Sequence, residues 1–278
     1  MEELEAEHII HAPRKGLDDK LYPIRPGSPR KDGYLTRAWS PGIVDAEFDA
    51  AVERHYTPFF QAMFKQDQTI DFVTVRKLLD KIFLARCLWR PLLDEVGRPG
   101  LVSHIVAIPA DAISRGLSFT TIYETMRDYE SENGVQSGEI PPLTISWDPE
   151  SQDADLGGSA LLPREYVSRI FSYIASPDLH VLAIMRNTST EDRRKAAFFL
   201  TKLLYRADSK TYFLASGIPV DVVIDNFTVV VSERDNDFGN DDSWRKVRVG
   251  VPTGSSTQDP GALKAKSEAL LDEVYGHN

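Results

Sequence analysis

From Thr211 to Val251 the chain passes through one strand-like segment after another, with no helical stretch between them: Thr211 to Ala215, Val220 to Ile224, Phe227 to Ser232 and Val247 to Val251. The breaks between them are short and polar, as at Asp225-Asn226 and in DNDFGNDDS. A doubly wound parallel sheet alternates strands with helices, whereas runs of consecutive strands belong to α+β folds. The expectation is therefore an α+β protein. Its sheet is mixed and largely antiparallel, is packed against several helices, and has an extended N-terminal arm.

The helices are read from apolar spacing. Val44, Phe48, Ala51, Val52 and His55 recur on one stripe, and Val75, Leu78, Leu79, Ile82 and Phe83 keep a similar period, which predicts helices over 44–55 and 72–90. Pro91 should end or kink the second. Ser118 is placed to cap a helix carrying Phe119, Ile122, Tyr123, Met126 and Tyr129. Pro163 opens a helix with Tyr166, Val167, Ile170, Phe171 and Ile174 inward. Thr188 and Glu191 read as a capping box for a helix burying Ala196, Ala197, Leu200, Leu203 and Leu204. A last helix follows Pro260. Leu101 to Pro109, Leu143 to Trp147 and Leu179 to Met185 read as strands.

Residues 13–38 hold four Pro and three Gly, and seven basic against three acidic side chains. Such a tract suits neither a helix nor a central strand. Residues 1–40 are accordingly expected to be an extended or flexible basic arm, and 41–278 a single α+β domain, with 148–160 as the one candidate internal boundary. No repeat with a period of 20–50 residues is present. At 278 residues the chain is long enough to bury a core without a metal or disulfide staple.

The net charge is −10. Residues 131–160 carry −6 and residues 232–243 carry −4, so the remainder is neutral. This opposes binding to nucleic acid or an anionic membrane, which need clustered positive charge. Two acidic loops suit a basic protein partner, steered over a Debye length of about 8 Å. The single cysteine, Cys87, cannot form an internal disulfide, and no basic-then-apolar leader opens the chain, so a cytoplasmic or nuclear home is expected.

Candidate chemistry is sparse. Asp221 and Asp225 fall on one face of a strand at period two, where neighbouring carboxylates push their proton affinities apart. Glu233, Asp235 and Asp237 imitate the start of a calcium loop, but Phe238 stands where glycine is required and Trp244 where a bidentate glutamate is required. Arg186, Thr188 and Ser189 lie where a strand gives way to a helix, whose free N–H groups suit an anion. No glycine-rich fingerprint accompanies them.

Of the six histidines, none has metal-ligand spacing, and no metal or cofactor is expected. His8 and His11 sit in what reads as a mobile end. His104 interrupts an apolar strand. The candidate catalytic residues are thus His104, Asp221 and His180, and the candidate ligand-binding residues Arg186, Thr188 and Ser189. Two functions compete. One is a soluble intracellular protein that binds a protein partner through loops 131–160 and 232–243. The other is a small-molecule enzyme using a carboxylate/histidine site and an anion-binding helix N-terminus.

Overall fold

The computed structural model describes residues 1–13, 34–43, 71–78, 80–93, 99–133, 138–174, 180–207, 213–216, 228–233, 244–250 and 262–276. The helix expected over 44–55, the strand at Val220 to Ile224, Asp221, Asp225 and most of the 232–243 loop lie outside them. The fold is α+β with a mixed sheet, and antiparallel pairing supplies the longest ladders. The chain divides into two compact units. One contains residues 1–74 and 80–151, and the other residues 75–79 and 152–278.

The first unit begins with β1 (Glu2–Pro13) and β2 (Tyr34–Trp39). β1 is no mobile end. Glu3 and Glu5 are exposed while Ala6, His8, Ile9, Ile10 and His11 are buried, and the strand is paired along its length. A period-two alternation of glutamate with Leu4, Ala6 and His8 is the physical reason. The segment expected to be a helix over 72–90 is instead two strands, β3 (Asp71–Leu78) and β4 (Lys81–Leu93). Phe72 to Val75 and Ile82 to Ala85 are unbroken buried runs. Such runs satisfy a helical period by coincidence, and their β-branched residues favour a sheet buried on both faces. Pro91 is accommodated where the register shifts between Arg90 and Leu93.

β5 (Pro99–Pro109) pairs antiparallel with β4 over eleven positions and with β1 on its other side. A short helix, α1 (Ala110–Ser114), leads to α2 (Phe119–Asn133), whose first turn is capped by Ser118 Oγ accepting from the Thr121 N–H at 3.0 Å. β6 (Gly138–Glu139) pairs parallel with β2, and β7 (Leu143–Trp147) pairs antiparallel with the start of β1. The inner face of α2 carries Ile122, Tyr123 and Met126, and the helix packs on β4 and β7.

The second unit opens with a 3-10 helix (Ala154–Ala160) and α3 (Arg164–Ile174). β8 (His180–Ile184), α4 (Thr190–Arg206), β9 (Phe213–Ser216), β10 (Val229–Ser232), β11 (Trp244–Arg248) and α5 (Ala262–Tyr275) follow. Its strands lie in the order β11-β8-β10-β9 and every pair is parallel. The consecutive strands of the sequence therefore do not form hairpins with one another here. α4 packs against β9, β10 and the 3-10 helix, and α3 against β8, β11 and α5. Ten residues of α4 are buried, among them Phe198, Phe199, Arg193 and Lys202. A helix buried on most sides must satisfy its polar groups. Lys202 Nζ meets Asp153 at 2.9 Å, and Thr201 Oγ1 donates to the Ala197 carbonyl at 2.8 Å.

Candidate functional site

The densest polar cluster among the described residues lies in the first unit, on the sheet face beneath α2. Strand register builds it. His8 on β1 is opposite Val106 of β5, and Ile10 is opposite His104, so the two histidines are diagonal neighbours on one face. Arg86 on β4 is the direct partner of His104. Asp71 begins β3, the next strand. From above, α2 lowers Tyr123 and Glu130, seven residues apart on one helix face, and the adjacent Tyr129.

These groups form one continuous hydrogen-bonded chain. His8 Nε2 lies 2.8 Å from the Pro141 carbonyl, and His8 Nδ1 lies 2.8 Å from His104 Nε2. His104 Nδ1 is 3.1 Å from Glu130 Oε1. Arg86 donates to Glu130 Oε2 at 2.6 Å and, through its other nitrogens, to both oxygens of Asp71 at 3.4 and 3.0 Å. The hydroxyl of Tyr123 also reaches Asp71, and its ring lies under the Arg86 guanidinium, 5.4 Å from the centroid. Tyr129 meets both histidine rings, edge-on to His8 at 5.0 Å and tilted to His104 at 5.7 Å. Ser40 fixes the His8 backbone by accepting its N–H at 2.9 Å, and the Ser40 N–H donates to the His8 carbonyl at 3.0 Å.

Burial and then the adjacent His104 push the proton affinity of His8 down to about 4, against the upward pull of the Pro141 carbonyl. Burial alone brings His11 to about 4. Burial works to lower the Arg86 guanidinium, but hydrogen bonding to Asp71 and the charges of Glu130 and Asp71 outweigh it and raise it. Burial raises the Tyr129 phenol. All four ring nitrogens of His8 and His104 have partners within the protein.

The remaining candidates fall elsewhere. Asp221 lies outside the described residues. His180, at the start of β8, pairs in register with Trp244 of β11, and the rings are 5.1 Å apart. His180, Arg186, Thr188 and Ser189 belong to the second unit and His104 to the first. At the N-terminus of α4 the capping box is one residue later than Thr188/Glu191. Ser189 Oγ accepts from the Asp192 N–H at 3.0 Å, and the Asp192 carboxylate takes the Ser189 N–H at 3.3 Å. Thr188 Oγ1 turns back to the Met185 carbonyl, and Arg193 donates to the Thr188 carbonyl. Asn187 holds the tight turn in the left-handed region at φ 57°, which asparagine tolerates better than most residues. The Asp192 carboxylate thus sits at the start of α4, on the Ser189 N–H.

Sequence reasoning found His104 but missed His8, Arg86, Glu130 and Asp71. The signal for His8 was the alternation in EELEAEH, which places it inward with Leu4 and Ala6. Among the described residues no group of histidine, cysteine and carboxylate side chains is arranged to hold a metal, and no helix is long and apolar enough to cross a membrane. Neither protein-family models nor curated proteins match this chain.

Proposed function

We propose that this protein acts by binding a basic protein partner through the acidic outer face of α2 and the acidic segment that follows it. The observation that carries this reading is the charge order of α2. Glu124, Asp128 and Glu132 are exposed at positions i, i+4 and i+8, a single ridge along the helix in which one base, Arg127, is paired with Asp128 at 3.5 Å. Like charges at that spacing destabilise a helix by about 0.2–0.5 kcal/mol per pair. The helix has no acid in its first turn and no base in its last. Acids near the C-terminal end also oppose the helix dipole, at about 0.3–1 kcal/mol each. Solubility requires neither cost, since mixed charges would serve it. Beyond α2, Glu139, Asp148 and Glu150 are exposed as well.

The small-molecule reading has weaker support, because both ring nitrogens of His104 are already engaged and the capping carboxylate of Asp192 sits at the helix N-terminus. The test uses a fluorescent oligolysine peptide as the basic probe, with anisotropy read at low and at physiological salt. The triple variant E124Q/D128N/E132Q should weaken binding at least tenfold. The variant E3Q/E5Q/D111N removes the same charge from other exposed positions of the first unit and should change affinity by less than threefold. Equal losses in the two variants, or no binding by the wild type, would overturn the proposal.

A further inference from the structure

The chain from Pro141 to Glu130 contains three hydrogen bonds, and each needs one proton. The Pro141 carbonyl only accepts, so His8 Nε2 carries a proton. One more lies between His8 Nδ1 and His104 Nε2, and a third between His104 Nδ1 and Glu130. Two neutral imidazoles supply only two. The chain therefore holds one proton more than two neutral rings and an ionised Glu130 would carry.

Arg86 donates to the far oxygen of Glu130, a charge-assisted pairing that suits a carboxylate and leaves the extra proton on the rings. Burial and the proximity of His104 keep it off His8. With His104 as imidazolium, two cations (His104, Arg86) face two anions (Glu130, Asp71), and the cluster is neutral. Side-chain exposure falls along it, from 30% at Asp71 and 11% at Arg86 and Glu130 to 2% at His104.

We propose that His8, His104 and Glu130 form a one-proton lock that holds β1 and the Pro141 segment against β5 and α2. Removing the proton leaves the His104 Nδ1–H on the ionised Glu130 and sets His104 Nε2 against His8 Nδ1 as two acceptors. Adding another sets His8 Nδ1 against His104 Nε2 as two donors. Either change opens the same seam, so the lock makes attachment of the N-terminal strand sensitive to pH on both sides of neutrality. The groups that face these rings are Tyr129 and Glu130 from α2, Arg86 from β4, Ser40 after β2 and the Pro141 carbonyl, with Asp71 and Tyr123 one step further out.

Replacing Glu130 by glutamine separates the lock from ordinary packing. The carbonyl of the introduced amide would accept from Arg86 and its nitrogen would donate to His104 Nδ1, which satisfies every bond with two neutral rings. Ring nitrogen-15 spectra of the full-length protein at pH 7 should show one charged ring shared by His8 and His104 in the wild type and none in E130Q. Individual signals are assigned from His8→Gln and His104→Gln. Amide exchange of Ile9 and Ile10, corrected for its intrinsic pH dependence, should accelerate at least tenfold from pH 7 to pH 9.5 in the wild type and less than threefold in E130Q. Two neutral rings in the wild type, a charged ring in E130Q, equal exchange profiles, or failure of E130Q to fold would each overturn the lock.

Discussion

A Cβ placed on Gly158 would stand 2.7 Å from the carbonyl oxygen of Lys195 and 2.5 Å from Cβ of Phe199. The 3-10 helix therefore lies against α4 at a distance only glycine permits. The adjacent Gly157 has nothing within 4 Å of the same position. Gly158→Ala should lower stability by about 1–3 kcal/mol, the usual cost of overpacking, and Gly157→Ala should change it little. Urea unfolding of the two variants checks the contrast, and equal midpoints would contradict it.

His11 is fully buried, and burial holds it near 4, against an ordinary value of about 6.5. A histidine depressed in the folded state stabilises the fold above the unfolded value. That contribution is lost as pH falls from 6.5 toward 4, because the unfolded chain takes up the proton first. At pH 4.5 the loss from this residue amounts to roughly 2–3 kcal/mol. Urea midpoints at pH 7 and pH 4.5 should differ accordingly, and His11→Asn should shrink the difference.

Arg86 stands between two carboxylates, Glu130 and Asp71. Removing it leaves both facing each other in a mostly buried place. Arg86→Met should cost roughly 3–5 kcal/mol, the scale for orphaning a buried ion pair. Arg86→Lys should recover only part, because a single ammonium cannot match the fork that reaches both carboxylates. Asp71→Asn, at the more exposed end, should cost less than either. Thermal melts of the three variants would show this order or disprove it.

Ser189→Ala should reduce stability by about 1 kcal/mol through the lost cap. With the Asp192 carboxylate at the same helix end, the same variant should not alter the response of the melting temperature to added phosphate. A phosphate-dependent rise in the wild type that disappears in Ser189→Ala would restore the anion-site reading.

Much of this was readable in advance where one period dominates. The helices behind Ser118 and Pro163 and the strands at 101–109 and 143–147 show a single clear pattern. Residues 71–90 do not, because an unbroken apolar run fits helix and buried strand alike. Position 8 was hidden for a different reason. Four glutamates in the first seven residues draw attention as charge, and the inward series Leu4, Ala6, His8 is visible only when every second residue is read alone. The cluster was illegible because its members lie at 8, 71, 86, 104 and 130. Only strand register brings them together, and register is not written in local spacing.

The short segment Val75–Leu79 groups with the second unit, although its neighbours on both sides belong to the first. That unit resumes only at Gln152. On a ribosome adding about 5–20 residues per second, this segment emerges roughly 4–15 s before the rest of its unit begins to appear. A piece of the second unit is thus synthesised midway through the first. Neither can be released as an uninterrupted stretch of polypeptide, and a stop after Ser151 would leave a strand half without its own unit.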